Sequence, residues 1–150
     1  MLIIIGFLFT VFISVVVSIL TGGYGPFLVD LPSALLTLVF LFFFLIASKS
    51  GRIIGRYIKS SFKKNYNYSR AELVSLSVAI KNTIKFSLGT GGFGFLVGLI
   101  ATLMFLEKKE MLGPNIAISL ITVFYAIIVS YIIFFPVQAW AENKINAMDE

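Results

Sequence analysis

Four runs of apolar residues, each close to the length that crosses a bilayer, constrain this chain more than any other feature. A hydrocarbon core of about 30 Å takes roughly 20 residues at the helical rise. The runs fall at about 2–20, 31–47, 86–106 and 115–136. Lipid offers no partner to a free backbone N–H or C=O, so such runs are expected as helices rather than open strands. The expected fold is an all-α integral membrane protein with four transmembrane helices. It forms a single membrane domain over residues 1–150, with a short cytoplasmic helical segment over 49–85 between spans 2 and 3. Composition agrees, since 59% hydrophobic and 13% charged residues cannot supply the polar shell of a soluble domain.

Leu2 to Leu20 has no Lys or Arg before it, so it reads as a retained span rather than a cleaved secretory signal. Gly6, Thr10, Ser14 and Ser18 recur at every fourth position and form a stripe of small residues that permits close helix approach. Glycines 22, 23 and 25 with Pro26 make an uncharged loop. Asp30 followed by Leu31-Pro32-Ser33 is a helix-start signal, because a proline in the first turn lacks only an amide that would be unpaired anyway. Gly113-Pro114 marks the start of the fourth span in the same way, and Pro136 is expected to end or kink it.

Charge sets the expected orientation. Nine of the twelve basic residues lie between Lys49 and Lys85 against one acid, Glu72, so this segment is expected in the cytoplasm. Its basic spacing from Arg52 through Arg56 and Lys59 to Lys63 and Lys64 suggests that the second helix continues past the membrane with a basic face at anionic headgroups. Ser69 with Glu72 reads as a capping box, opening a helix in which Leu73, Leu76, Ile80 and Ile84 share one face. Four spans put both termini in the cytoplasm of a multi-pass protein of the cell's inner membrane. The net charge of +5 is explained by topology, and no nucleic-acid partner is expected.

The chemistry is sparse. The chain has no Cys and no His, which excludes disulfides, thiolate sites and histidine bases. All seven acids lie at span ends or beyond them, so no titratable side chain is expected in mid-membrane. No nucleophile stands beside a base, no metal ligands cluster, and no phosphate loop occurs, so neither an enzyme nor a cofactor is expected. What the spans do hold is hydroxyls: Thr90, Thr102, Ser119, Thr122 and Ser130. The third span also carries Gly89, Gly91, Gly92, Gly94 and Gly98, and the fourth a small stripe of Thr122, Ala126 and Ser130. Gly98, Ala126, Ser130 and Pro136 are therefore the helix-packing and gating candidates.

Leu112-Gly113-Pro114-Asn115-Ile116-Ala117, followed by Thr122, Tyr125, Phe134 and Pro136, resembles the fourth helix of the MotA-type stator subunits in the MotA/TolQ/ExbB proton channel family. Val97-Gly98-Leu99-Ile100-Ala101-Thr102-Leu103 resembles the family's third helix. Gly22-Gly23 with Phe27, Asp30, Pro32 and Ser33 resembles the start of its second. The chain departs from the pattern in its much shortened cytoplasmic segment and in having Phe95 where the family's third helix has a proline. The resemblance implies a homopentamer around a dimer of single-span MotB/TolR/ExbD-like partners, whose mid-membrane Asp carries H⁺ or Na⁺. The cargo ion is then no resident cofactor, and Thr102 and Thr122 are the implied ion-pathway positions. A non-conducting pentameric scaffold and an unrelated small membrane pore or transporter are the alternative readings.

Overall fold

The computed structural model of the chain describes residues 30–61, 66–104 and 109–149. The expected first span with its Gly6, Thr10, Ser14 and Ser18 stripe, the expected glycine loop, Lys63 and Lys64, and Glu107 and Lys108 lie outside the described residues. Within them the regular elements are all helical, with no strand. They are α1 (Leu31–Ala47), α2 (Ser50–Ser61), α3 (Arg70–Met104), α4 (Lys109–Ile127), a π-helical segment (Ile128–Phe134) and α5 (Phe135–Asp149).

The start of α1 follows the local chemistry of its sequence. The Asp30 carboxylate accepts from the Ser33 amide at 2.8 Å, and Pro32 sits in the first turn. The helix is about 26 Å long at the α-helical rise, close to the thickness of the hydrocarbon core. Its other end departs from the expected straight continuation. Ser48 caps α1, Lys49 takes a left-handed φ of 59°, and α2 leaves at 93° to α1. The Ser48 hydroxyl serves both helices, donating to the Phe44 carbonyl at 2.7 Å and accepting from the Ser50 amide at 3.3 Å. Gly51 lies where a Cβ would come within 3.1 Å of the Leu45 carbonyl oxygen, so the tight corner favours glycine. The basic helix thus turns across the end of α1 instead of extending it. Ile53, Ile54 and Tyr57 face the protein, while Arg52, Arg56 and Lys59 are exposed.

α3 is longer than the expected third span because the capped helix and the span are one. The capping box forms as expected: the Ser69 amide donates to Glu72 at 3.0 Å, and the Glu72 amide donates to the Ser69 hydroxyl at 3.3 Å. From there the helix runs 35 residues without a break. Its first half buries Leu73, Leu76 and Ile80 with Ala141 of α5, and Ile84 packs against this cluster. This is the one cluster of large buried side chains among the described residues, and it lies on the polar side of the span.

The fourth span differs from expectation at both ends. α4 begins at Lys109, so Gly113 and Pro114 lie inside the helix rather than opening it. The helix also reads through Pro136 to Asp149. Pro136 has no N–H, and its ring would crowd the carbonyl of Ile132 in a regular α-helix. The π segment just before it makes room, with the Phe135 amide donating to Ser130 five residues back.

Two helices, Arg70–Met104 and Glu110–Met148, are long and apolar enough to cross a membrane; the bent pair Leu31–Ala47 with Ser50–Ser61 makes a third if read as one span. Exposure along them is inverted relative to a soluble protein. Phe42, Phe43, Leu96, Ile100, Leu103 and Leu120 are exposed, whereas Thr83, Ser87, Thr102, Ser119 and Ser130 are buried. Small and hydroxyl residues inside with large apolar residues outside is the pattern of helices packed in lipid.

Candidate functional site

The membrane half is organised by a seam where α3 and α4 run antiparallel at close range. On α3 the glycines that face the seam are Gly91, Gly94 and Gly98; on α4 they meet Ala126, Thr122 and Ser119 in that order. A Cβ at Gly91 would lie 2.5 Å from the Ala126 Cβ, and one at Gly94 would lie 2.6 Å from the Thr122 Cγ2. A Cβ at Gly98 would overlap the Ser119 hydroxyl and lie 2.8 Å from its Cβ. At Gly91 and Gly98 an added Cβ would strike Cβ atoms that move only with α4, and at Gly94 it would strike the Thr122 methyl. Gly89 and Gly92, by contrast, face open space.

Hydroxyls bridge or cap the seam along its length. Ser87 donates to the Ala126 carbonyl at 3.3 Å and Ser130 to the Ile84 carbonyl at 3.5 Å, each crossing between helices. Further along, Thr122 donates to the Ser33 hydroxyl at 3.2 Å and approaches the Ile118 carbonyl at 3.4 Å. The Asp30 amide donates to the Tyr125 hydroxyl at 3.0 Å, so the start of α1 is held to α4 by two polar contacts.

Where α1, α3 and α4 meet, the seam opens into a cleft of about 350 Å³. Ser33, Gly98, Thr102, Asn115, Ser119 and Thr122 contribute its polar and small lining, with Leu36, Phe93, Val97 and Ile118 as apolar walls. The Thr102 hydroxyl donates to the Gly98 carbonyl at 2.8 Å, and Ser119 donates to the Asn115 carbonyl at 2.9 Å. A hydroxyl that has given its hydrogen to its own helix keeps oxygen lone pairs as acceptors. Such a cleft can receive hydrogen bonds from a hydrated proton or coordinate a small cation, as oxygen-lined ion pathways do. It cannot hold a proton itself, because a hydroxyl does not titrate near neutral pH.

The sequence pattern that defines the MotA/TolQ/ExbB proton channel family matches residues 48–150, more than two thirds of the chain. The chain belongs to that family. Its long apolar helices fit a membrane protein of that family. The matched region holds α2 through α5 and both threonines, and leaves out the Asp30-Pro32-Ser33 start of α1. Among individual relatives, the chain is 40% identical over 60 residues to the uncharacterized protein YtxD of Bacillus subtilis (strain 168), covering 40% of this chain and 22% of that one. It is 41% identical over 63 residues to Motility protein A of Borreliella burgdorferi, covering 42% of this chain and 24% of that one. The matches span less than a quarter of either relative's length.

Against this membership, the structure brings Thr102, Thr122 and Gly98 to the same cleft. Ala126 and Ser130 lie farther along the same seam, both 0% exposed. Asp30 and Pro32 stand at the start of α1, while Gly113, Pro114 and Pro136 shape the α4–α5 rod instead of bounding it. Sequence reasoning did not count Ser33, Ser119, Gly91 and Gly94 among the site residues. Gly91, Gly94 and Gly98 are spaced at three and then four residues, as are Ser119, Thr122 and Ala126, so each set lies on one helix face, and that was the available signal.

Proposed function

We propose that the chain is the pore-forming, stator-like subunit of an ion-driven motor complex, a homopentamer around two copies of a single-span MotB-like partner that carries a mid-membrane Asp. The observation that carries this reading is the hydroxyl-lined cleft at Thr102 and Thr122 in a membrane half with no acid. Among the described residues Glu72 and Glu142 lie on the polar side, and Asp30, Glu110 and Asp149 lie at helix ends. An ion moving past this chain needs a titratable carrier, and the partner supplies it. Membership in a proton channel family and identity with a protein named for motility support the same direction.

In this reading the chain crosses the inner membrane four times with both termini in the cytoplasm. α2 lies across the cytoplasmic face, its exposed Arg52, Arg56 and Lys59 at the headgroups. The cleft opens near the opposite face. Thr102 and Thr122 present oxygen acceptors along the path, and the rigid glycine seam holds the two helices at a fixed distance. The moving ion is H⁺ or Na⁺.

One observation favours the second reading, a pentameric scaffold that clamps a partner helix without conducting. Thr102 is 2% exposed and Thr122 5% within one chain, and both hydroxyl hydrogens are already donated. Co-expression with a candidate single-span partner followed by native mass spectrometry tests the assembly common to both. Five copies with two partner copies are expected, and monomers or dimers alone would refute it.

A further inference from the structure

A second groove lies on the other side of α3, between it and α1, away from the glycine seam. Phe40, Phe44, Phe86 and Phe93 line it, with Gly89 and Thr90 at its floor, and it encloses about 630 Å³. Phe44 and Phe86 stack with centroids 4.2 Å apart, and Phe40 and Phe93 approach to 6.4 Å, so the wall is a ladder of rings running along both helices. One end differs in chemistry. There the lining is Ser48, Asn82 and Lys85, at the α1–α2 corner and where the span part of α3 begins. Lys85 is exposed and makes no ion pair among the described residues.

We propose that this groove is a binding site for one anionic phospholipid of the inner leaflet, with an acyl chain along the phenylalanine ladder and the phosphate at Lys85. The leaflet assignment rests on the topology proposed above. Charge complementarity selects this occupant. An apolar helix of a second copy would cover the rings but leave the Lys85 ammonium facing hydrocarbon without a counter-charge. Among the described residues a second copy brings no spare acid at this depth. Glu72 is engaged by Ser69 and Tyr66, and Glu142 by Ser77 and Gln138. A phospholipid carries its own negative charge at the depth of the lysine and its own chain at the depth of the rings. The Asn82 amide and the Ser48 hydroxyl stand beside Lys85 as further polar groups for the headgroup.

The test titrates the delipidated, detergent-purified assembly with dioleoyl phosphatidylglycerol or dioleoyl phosphatidylcholine and counts retained lipid by native mass spectrometry. Phosphatidylglycerol is expected to be held about five-fold more tightly, the effect of one lysine near a membrane surface. Lys85→Gln is expected to abolish that preference and leave phosphatidylcholine retention unchanged. Gly89→Leu fills the groove from a position where an added Cβ meets nothing within 4 Å, so it is expected to lower retention of both lipids without disturbing assembly. Equal retention of the two lipids by the unmodified chain, or a preference that survives Lys85→Gln, would overturn the proposal. So would a cysteine at Phe93 that cross-links between copies, because protein would then cover the groove. The readout is lipid retention, so a failure of ion conduction leaves it unaffected.

Discussion

If the α3–α4 seam sets the geometry of the membrane half, Gly98→Ala is the sharpest single perturbation of it. The new methyl would overlap the Ser119 hydroxyl, which can rotate away. It would also lie 2.8 Å from the Ser119 Cβ and 3.3 Å from its Cα, which cannot move unless α4 moves. Overpacking of this kind costs about 1–3 kcal/mol. Alanine's better helix propensity returns up to about 1 kcal/mol, a gain that Gly92→Ala shares, so Gly98→Ala should fall below that control by about 1–3 kcal/mol. Gly92→Ala is the matched control, since its Cβ meets nothing within 4 Å and only the propensity gain remains. Ser119→Gly in the Gly98→Ala background should restore most of the loss, because it removes the atoms the methyl strikes. Unfolding of the purified chain in mixed detergent gives the four stabilities needed for the double-mutant cycle. A Gly98→Ala chain as stable as Gly92→Ala, or a loss that Ser119→Gly does not relieve, would refute the packing at this position.

Three further outcomes follow from other parts of the molecule. Lys49→Gly should stabilise the α1–α2 corner by up to about 1 kcal/mol, because glycine adopts the φ of 59° without the Cβ penalty; a loss in thermal unfolding would contradict it. The Ser69 amide, with help from the Tyr66 hydroxyl, holds the Glu72 carboxyl below the usual glutamate range. A depressed carboxylate adds stability above its unfolded pKa and loses it as pH falls through the folded one. Protection of the Ser69 and Glu72 amides, taken relative to intrinsic exchange that itself slows in acid, should therefore fall on acidification below the ordinary glutamate range, and in Glu72→Gln that acid-induced loss of protection should vanish. Cysteines at Asn67 and Lys108 should label from opposite sides of the membrane, Asn67 from the cytoplasm, and labelling of both from outside would overturn the four-span arrangement.

Features set by a few adjacent residues were legible in the sequence. Asp30 caps α1 and Ser69 pairs with Glu72 as local chemistry requires, and Leu73, Leu76 and Ile80 bury the face their spacing defines. Helix ends were less legible, because proline reads as a boundary in water. Pro114 and Pro136 instead lie inside one long rod, the second accommodated by a π turn. The 93° corner was hidden because its left-handed position is a lysine rather than a glycine, and Gly51 lies two residues on, inside α2. In the site, hydroxyl-bearing spans without an acid were plain from composition along the chain. The pairing of Gly98 with Ser119, and of Thr122 with Ser33 across 89 residues, is tertiary register that residue spacing within one helix does not contain.

If ions pass the Thr102 hydroxyl as proposed, proton or Na⁺ flux through a reconstituted complex with its Asp-bearing partner depends on that oxygen. Thr102→Val keeps the branched shape and removes the oxygen that lines the cleft, while the Gly98 carbonyl retains its place in the helix. Thr83→Val is the control, a residue equally buried and bonded to its own helix at 2.8 Å but on the polar side of the span. Flux is expected to be abolished by Thr102→Val with assembly intact, and to be unchanged by Thr83→Val. Wild-type flux through Thr102→Val in a complete complex would contradict it.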